Sequence, residues 1–153
     1  MNKIACFAVI AALGLTGACK RVETTKISEA EATKISDDFL AASLSGDVAK
    51  IDAFYAKDVV AIDPVVTDVA KGSDTMHKFN QGFVDMKFDK QSYTDRHFQL
   101  LDAEDFIVTA KIHVESTAGQ VKSADFRVTD YYRKQDDGNF KIVNEHASFA
   151  AKP

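Results

Sequence analysis

The chain has no tryptophan, only two cysteines and no block of Lys and Arg in its 153 residues, and each scarcity closes off a class of protein. Nucleic-acid partners are held by clustered basic groups that neutralise phosphate. Here 23 Asp and Glu outnumber 19 Lys and Arg, for a formal charge of −4, so no nucleic-acid partner is expected. The four histidines lack metal-ligand spacing, and the neighbours Glu145 and His146 point opposite ways if they lie on a strand. No metal and no cofactor is therefore expected. The sequence has no Gly-rich phosphate loop, no nucleophilic-serine motif, no nucleotide fingerprint and no internal repeat. With eleven Phe and no Trp, any cavity this chain encloses is greasy.

The one long apolar run covers residues 4–15, too short for a spanning helix, which needs about 20 residues. Lys3 precedes it and small residues follow, so residues 1–18 read as a removable export signal. The stretch Leu15-Thr16-Gly17-Ala18-Cys19 resembles a lipobox, with Thr16 where Leu is commonest. Two readings stand: lipid attachment to Cys19, or ordinary cleavage after Ala18, since Thr16-Gly17-Ala18 is also a small-x-small site. Cys6 leaves with the signal, so Cys19 is the remaining thiol and a disulfide within the mature chain is ruled out. Acylation would remove an idle thiol from an oxidising compartment. The lipobox resemblance implies several lipid chains and stable anchoring. Lys20 after the anchor, by the Gram-negative sorting rules this pattern resembles, implies the periplasmic face of the outer membrane. Residues 19–27 then form a short polar tether, and residues 28–150 form one domain of ordinary size.

Within that domain, Ser28 with Glu31 three residues on is a capping box, followed by Ala32, Ile35, Phe39, Leu40 and Leu44 at helical spacing. Helix one is predicted over 28–45, stopped by Gly46. Asp47 is placed to cap a second short helix whose apolar stripe is Val48, Ile51, Phe54 and Tyr55. A short buried strand is predicted over 59–62 and ends at Asp63-Pro64. After a polar loop to Gly72, Ser73 is placed to cap a third helix carrying Met76, Phe79, Phe83, Val84 and Met86. From Gln91 the apolar period becomes two, through Phe98 and Leu100, Phe106 to Val114, Phe126 to Tyr132, and Phe140 with Ile142, with turns at Ala118-Gly119 and Asp137-Gly138. Helices first and an antiparallel meander after is the α+β pattern, and a bent sheet around helices leaves a hollow where small ligands bind.

This order, with Gly46-Asp47, Asp63-Pro64, Gly72, and the closing segments 126–130 (Phe-Arg-Val-Thr-Asp) and 137–146 (Asp-Gly-Asn-Phe-Lys-Ile-Val-Asn-Glu-His), resembles the nuclear-transport-factor-2-like superfamily. Its SnoaL-like and ketosteroid-isomerase-like branches are the most similar. The resemblance covers about residues 28–150 and implies a cone-shaped half-barrel, three N-terminal helices packed in a strongly curved, mostly antiparallel sheet. It also implies pairing of two copies through the sheet, and it leaves function open, because the fold hosts enzymes and plain binding modules alike.

By the same resemblance Asp63, before Pro64 and nine residues ahead of Gly72, stands where ketosteroid isomerases carry their general base. Asp-Pro is equally a turn starter whose carboxylate bonds nearby amides. Asp130 interrupts the apolar parity of Phe126, Val128 and Tyr132, and a charge on an inward face is costly unless paired or neutralised. Eight residues before Gly138, it matches the protonated Asp of steroid isomerases; the competing role is a structural ion or hydrogen-bond site. The matching tyrosine donor, 24 residues before Asp63, is replaced by Phe39, a loss that costs such sites about two to three orders of magnitude in rate. Tyr55, Tyr93, Tyr131 and Tyr132 are the hydroxyls available to replace it from another wall. Alternation groups His146 with Phe140, Ile142 and Asn144, making it the third catalytic candidate or a histidine satisfied by Asp130 or backbone. Phe39, Tyr55, Phe83, Val128 and Tyr132 are the expected pocket walls. His97, Lys111 and His113 fall on the polar parity.

The leading functional expectation is a membrane-tethered pocket domain that binds a small, partly apolar molecule without catalysis. Competing with it are a cofactor-independent isomerase, cyclase or dehydratase, and a dimerising interaction module, which requires a filled interior and an apolar outer sheet.

Overall fold

The computed structural model describes residues 25–64 and 68–150; the signal segment and Cys19 lie outside them. Ser28 caps the first helix as its sequence dictates, its Oγ accepting the Glu31 N–H at 3.2 Å, and α1 runs Glu29–Leu44. Asp47 caps α2 (Val48–Asp52), accepting the Ala49 N–H at 3.1 Å. Tyr55 does not continue that helix. It opens β1 (Tyr55–Ile62), which begins four residues earlier than the apolar run 59–62 suggested. Beyond the short β2 (Ala70–Lys71), α3 covers Ser73–Asp85. Its cap is Gly72 rather than Ser73: the Gly72 backbone sits at φ 79°, ψ 164°, a region open to glycine alone, and no side chain caps the helix.

The meander follows as β3 (Lys90–Leu100), β4 (Asp105–Glu115), β5 (Ser123–Lys134) and β6 (Phe140–Phe149). The turn into β6 uses Gly138 at φ 83°, its N–H donating to the Gln135 carbonyl at 2.8 Å. All six strands join one sheet in the order β2-β1-β6-β5-β4-β3, antiparallel throughout except for the parallel β1–β6 pair. The sheet is open and strongly curved around the helices, with α1 against β3 and α3 against β1. This is the α+β class the element pattern implies and the cone shape the family resemblance implies.

Two irregularities shape the concave face. On β3, Tyr93 pairs with Ile112 and Asp95 with Lys111, so Thr94 is an extra residue. On β6, Ile142 pairs with Tyr132 and Asn144 with Tyr131, so Val143 is extra. Each bulge bends its strand and reverses which residues face inward beyond it. The core gathers Ile27, Ala32, Ile51, Val59, Met76, Phe106, Val108, Tyr132 and Ile142. Ile27, assigned to the tether from sequence, is only 4 % exposed and its N–H donates to the Asp102 carbonyl at 2.8 Å. The packed domain therefore takes in the end of that segment.

Candidate functional site

Along β5 the inward side chains are Phe126, Val128, Asp130 and Tyr132. The first three line a partly open cavity of about 90 Å³ between the sheet and the helices. Helices α1 and α3 contribute Phe39, Phe79 and Phe83 to its walls, and Tyr55, Asp63 and Glu145 supply polar groups. An apolar cavity of about 150 Å³ holds a benzene molecule, so this one encloses less than a full ring, and a ligand with an aromatic body projects through its open side.

Asp63 and Asp130 therefore face one cavity, as do the expected walls Phe39, Tyr55, Phe83 and Val128. Tyr132 does not. Its ring is fully buried and stacks on Phe106 at 4.6 Å between centroids, in the core beside the cavity. Its hydroxyl has no hydrogen-bond partner among the described residues, and an unsatisfied buried hydroxyl costs about 1–3 kcal/mol. Tyr132→Phe is expected to raise stability by about 1 kcal/mol, read as a higher urea midpoint at unchanged slope; a lower midpoint would mean the hydroxyl is satisfied in solution.

His146 is exposed and points away from the cavity, contrary to its grouping with Phe140 and Ile142. The cause is the Val143 bulge: Phe140 and Ile142 turn inward, and two residues later the phase has moved by one, so Glu145 and Ala147 face in. Simple alternation carried across the bulge selects the wrong member of the Glu145-His146 pair. Glu145 is thus a site residue that sequence reasoning missed, and it is 8 % exposed. On the convex face His97 pairs with Asp95 at 3.0 Å and His113 with Asp125 at 2.7 Å.

Asp130 and Glu145 are direct cross-strand neighbours on the same face. Burial, then the Glu145 charge, pushes the Asp130 carboxyl well above its usual range. Burial pushes Glu145 up to about 7, while the Tyr55 hydroxyl, donating to its Oε2 at 2.6 Å, pulls the other way and Asp63 adds to the rise. Two adjacent buried carboxyls cannot both ionise cheaply, so the pair keeps a proton near neutral pH. Phe39 packs its ring edgewise on Tyr55 at 5.8 Å between centroids, and Tyr55 carries its hydroxyl to Glu145 at the cavity wall. Of the other tyrosines, Tyr93 donates to the Ser36 carbonyl at 3.1 Å and Tyr131 accepts from Arg133 at 2.7 Å. No cluster of three metal-ligating side chains occurs among the described residues.

The model of the SnoaL-like domain matches residues 37–145, most of the chain. The chain belongs to the SnoaL-like domain family. Solved structures agree on the fold. A protein from Xanthomonas campestris named for the calcium/calmodulin dependent protein kinase II association domain is 24 % identical, with a TM-score of 0.71 over 85 % of this chain and 97 % of its own. An NTF2-like protein of unknown function from Pseudomonas putida is 20 % identical, with a TM-score of 0.68 over 82 % of this chain and 96 % of its own. A ketosteroid isomerase-like protein from Erwinia carotovora is 18 % identical, with a TM-score of 0.68 over 82 % of this chain and all of its own. No curated protein matches the sequence. For a SnoaL-like domain, the buried pair Asp130 and Glu145 at the cavity's polar end is the feature that calls for a functional explanation.

Proposed function

We propose that this SnoaL-like domain is the soluble part of an envelope lipoprotein, tethered through Cys19, and that its cavity binds a small, partly apolar molecule. The observation that carries the pocket reading is the cavity itself, with aromatic walls and carboxyl groups of Asp63, Asp130 and Glu145 gathered at its lining. Such a lining holds an apolar body and orients one polar end. A convex sheet face carrying Thr109, Lys111, His113, Asp125, Arg127 and Thr129 speaks against an interaction module built on an apolar outer face.

A second reading, cofactor-independent proton transfer, is favoured by one observation: a buried carboxyl held at about 7 is poised to exchange protons at neutral pH. In that reading Asp63 is the base and the protonated Asp130 and Glu145 pair donates to the developing oxyanion. The Phe39 position lacks the usual donor, so binding without turnover is the primary proposal.

Native mass spectrometry of the detergent-extracted full chain tests these points together. The expected result is a diacylglycerol-sized mass on Cys19, absent in Cys19→Ser, and a retained small molecule that is lost in Val128→Trp, which fills the cavity. An unmodified Cys19 overturns the anchor. An empty cavity, together with no binding of small aromatic probes by calorimetry, overturns the pocket. Turnover of the retained molecule that Asp63→Asn abolishes would favour the enzyme reading.

A further inference from the structure

Three carboxyls, those of Asp63, Asp130 and Glu145, line the cavity, beside the neutral polar groups of Ser43, Tyr55, Asn80 and Gln91. Asp130 is 3 % exposed, and its Oδ1 has no hydrogen-bond partner among the described residues. Glu145 beside it accepts the Tyr55 hydroxyl, and Asp63 lines the same cavity. No Lys, Arg or His is among the described residues of the lining. Of the cations on β3, Lys90 pairs with Glu115 at 2.9 Å, and Arg96 bonds Asp37 at 2.5 Å and Ser36 at 2.9 Å and lies over the Tyr93 ring at 4.3 Å. A pair of carboxyls is thus desolvated with no counter-charge beside it among the described residues of the lining.

From this geometry we infer that the cavity's ligand is a small organic cation, a primary or secondary ammonium on an apolar or aromatic body, seated with its N–H groups on Asp130 and Glu145. The inference rests on the pocket reading above and narrows the ligand class. With one proton shared between two carboxyls, acceptors outnumber donors. A neutral carbonyl ligand can take only the one shared proton and leaves the remaining carboxyl oxygens without a donor; a carboxylate ligand adds like charge in a low-dielectric space. An ammonium brings two or three donors and the missing positive charge. The walls suit the rest of such a molecule, because Phe39, Phe79, Phe83 and Phe126 enclose the cavity and aromatic faces attract cations as well as apolar groups.

Binding of the cation then expels the proton shared by the pair. The ionisable groups facing Asp130 and Glu145 are Tyr55 on β1, Asp63 just after it, Tyr93 on β3 and Tyr132 on β5. The tyrosines are pushed above their usual range by burial, so they stay neutral in the neutral-pH region. From the helices the cavity receives Ser43 and Asn80 but no ionisable side chain among the described residues. The proton released therefore comes from the carboxyls.

Calorimetry of the full chain with benzylammonium, benzyl alcohol and benzoate tests the inference. Benzylammonium is expected to bind, with affinity rising between pH 5.5 and 8 by up to tenfold per pH unit and with heats that vary with buffer ionisation enthalpy in the sense of proton release. Asp130→Asn, which keeps the shape and removes the charge, is expected to lose at least tenfold in affinity while remaining folded by circular dichroism. If benzyl alcohol or benzoate binds as tightly, or affinity rises as pH falls, the ammonium inference fails and the pocket reading survives. If no probe binds and Val128→Trp behaves as the parent chain, both fail.

Discussion

Between pH 5 and pH 8 the domain is expected to lose about 3 kcal/mol of stability, and Glu145→Gln combined with Asp130→Asn is expected to abolish most of that loss. A carboxyl whose ordinary value is 4.5 is held at about 7 in the folded chain. A group raised on folding contributes stability in full below its unfolded value, and that contribution is gone once the pH has passed the folded value. At about 1.4 kcal/mol per tenfold, the interval from 4.5 to 7 amounts to about 3 kcal/mol for Glu145 alone, and the raised Asp130 acts in the same sense. For a domain of this size that is on the order of 10 °C in melting temperature. Asp89, Glu115 and Asp137 are held below their ordinary values by hydrogen bonds and nearby lysines. Their stabilisation is lost only as pH falls into the acid range, so it does not mask the slope. His113 is raised by Asp125 and Glu115 and shares the sign, but it is solvent-exposed and screened. Thermal melts across this range in the parent and the double variant check the expectation; a flat parental profile would mean the pair is not desolvated.

Phe106→Ala is expected to cost about 3–5 kcal/mol. Phe106 is fully buried, stacks on Tyr132 at 4.6 Å and meets Phe140 at 5.4 Å, so truncation opens a void that three strands cannot easily close. The same stack seals the core side of Asp130's neighbourhood, since Phe106 and Tyr132 are direct cross-strand partners and Asp130 lies two residues along β5. Loss of the ring is therefore expected to flatten the pH dependence of stability as well, by admitting water to the carboxyl pair. Urea titrations at pH 5.5 and pH 8 read both effects. A cost below 1 kcal/mol would mean the core here is loosely packed.

Much of this was legible from residue order, and the reasons differ by element. Ser28 and Asp47 announced their helices because a side-chain cap is a local interaction. Asp130 was legible because a single charge on an apolar face is conspicuous whatever the tertiary structure. The cap at Gly72 was not, since it depends on backbone dihedrals that a neighbouring serine obscures. The helical spacing of Tyr55 from Ile51 points to α2, whereas pairing with Ile142 on β6 places it in a strand. Tyr132 shares its parity with Val128, and only the three-dimensional position of the Phe106 ring separates core from cavity. Glu145 was hidden by Val143, for alternation gives no sign of where a strand slips phase.

That slip leaves an acid and an imidazole as adjacent letters of the chain, one looking into the cone and one out of it. Loss of a single codon at Val143 would remove the extra residue and straighten β6, yet Glu145 would stay opposite Asp130 and His146 would stay outward, because the pairing with β5 sets the face each presents. Exchanging the two would need β6 to pair through Val143 without its bulge, which slides every later residue by one place against β5 and turns Ala147 out of the cavity wall along with Glu145.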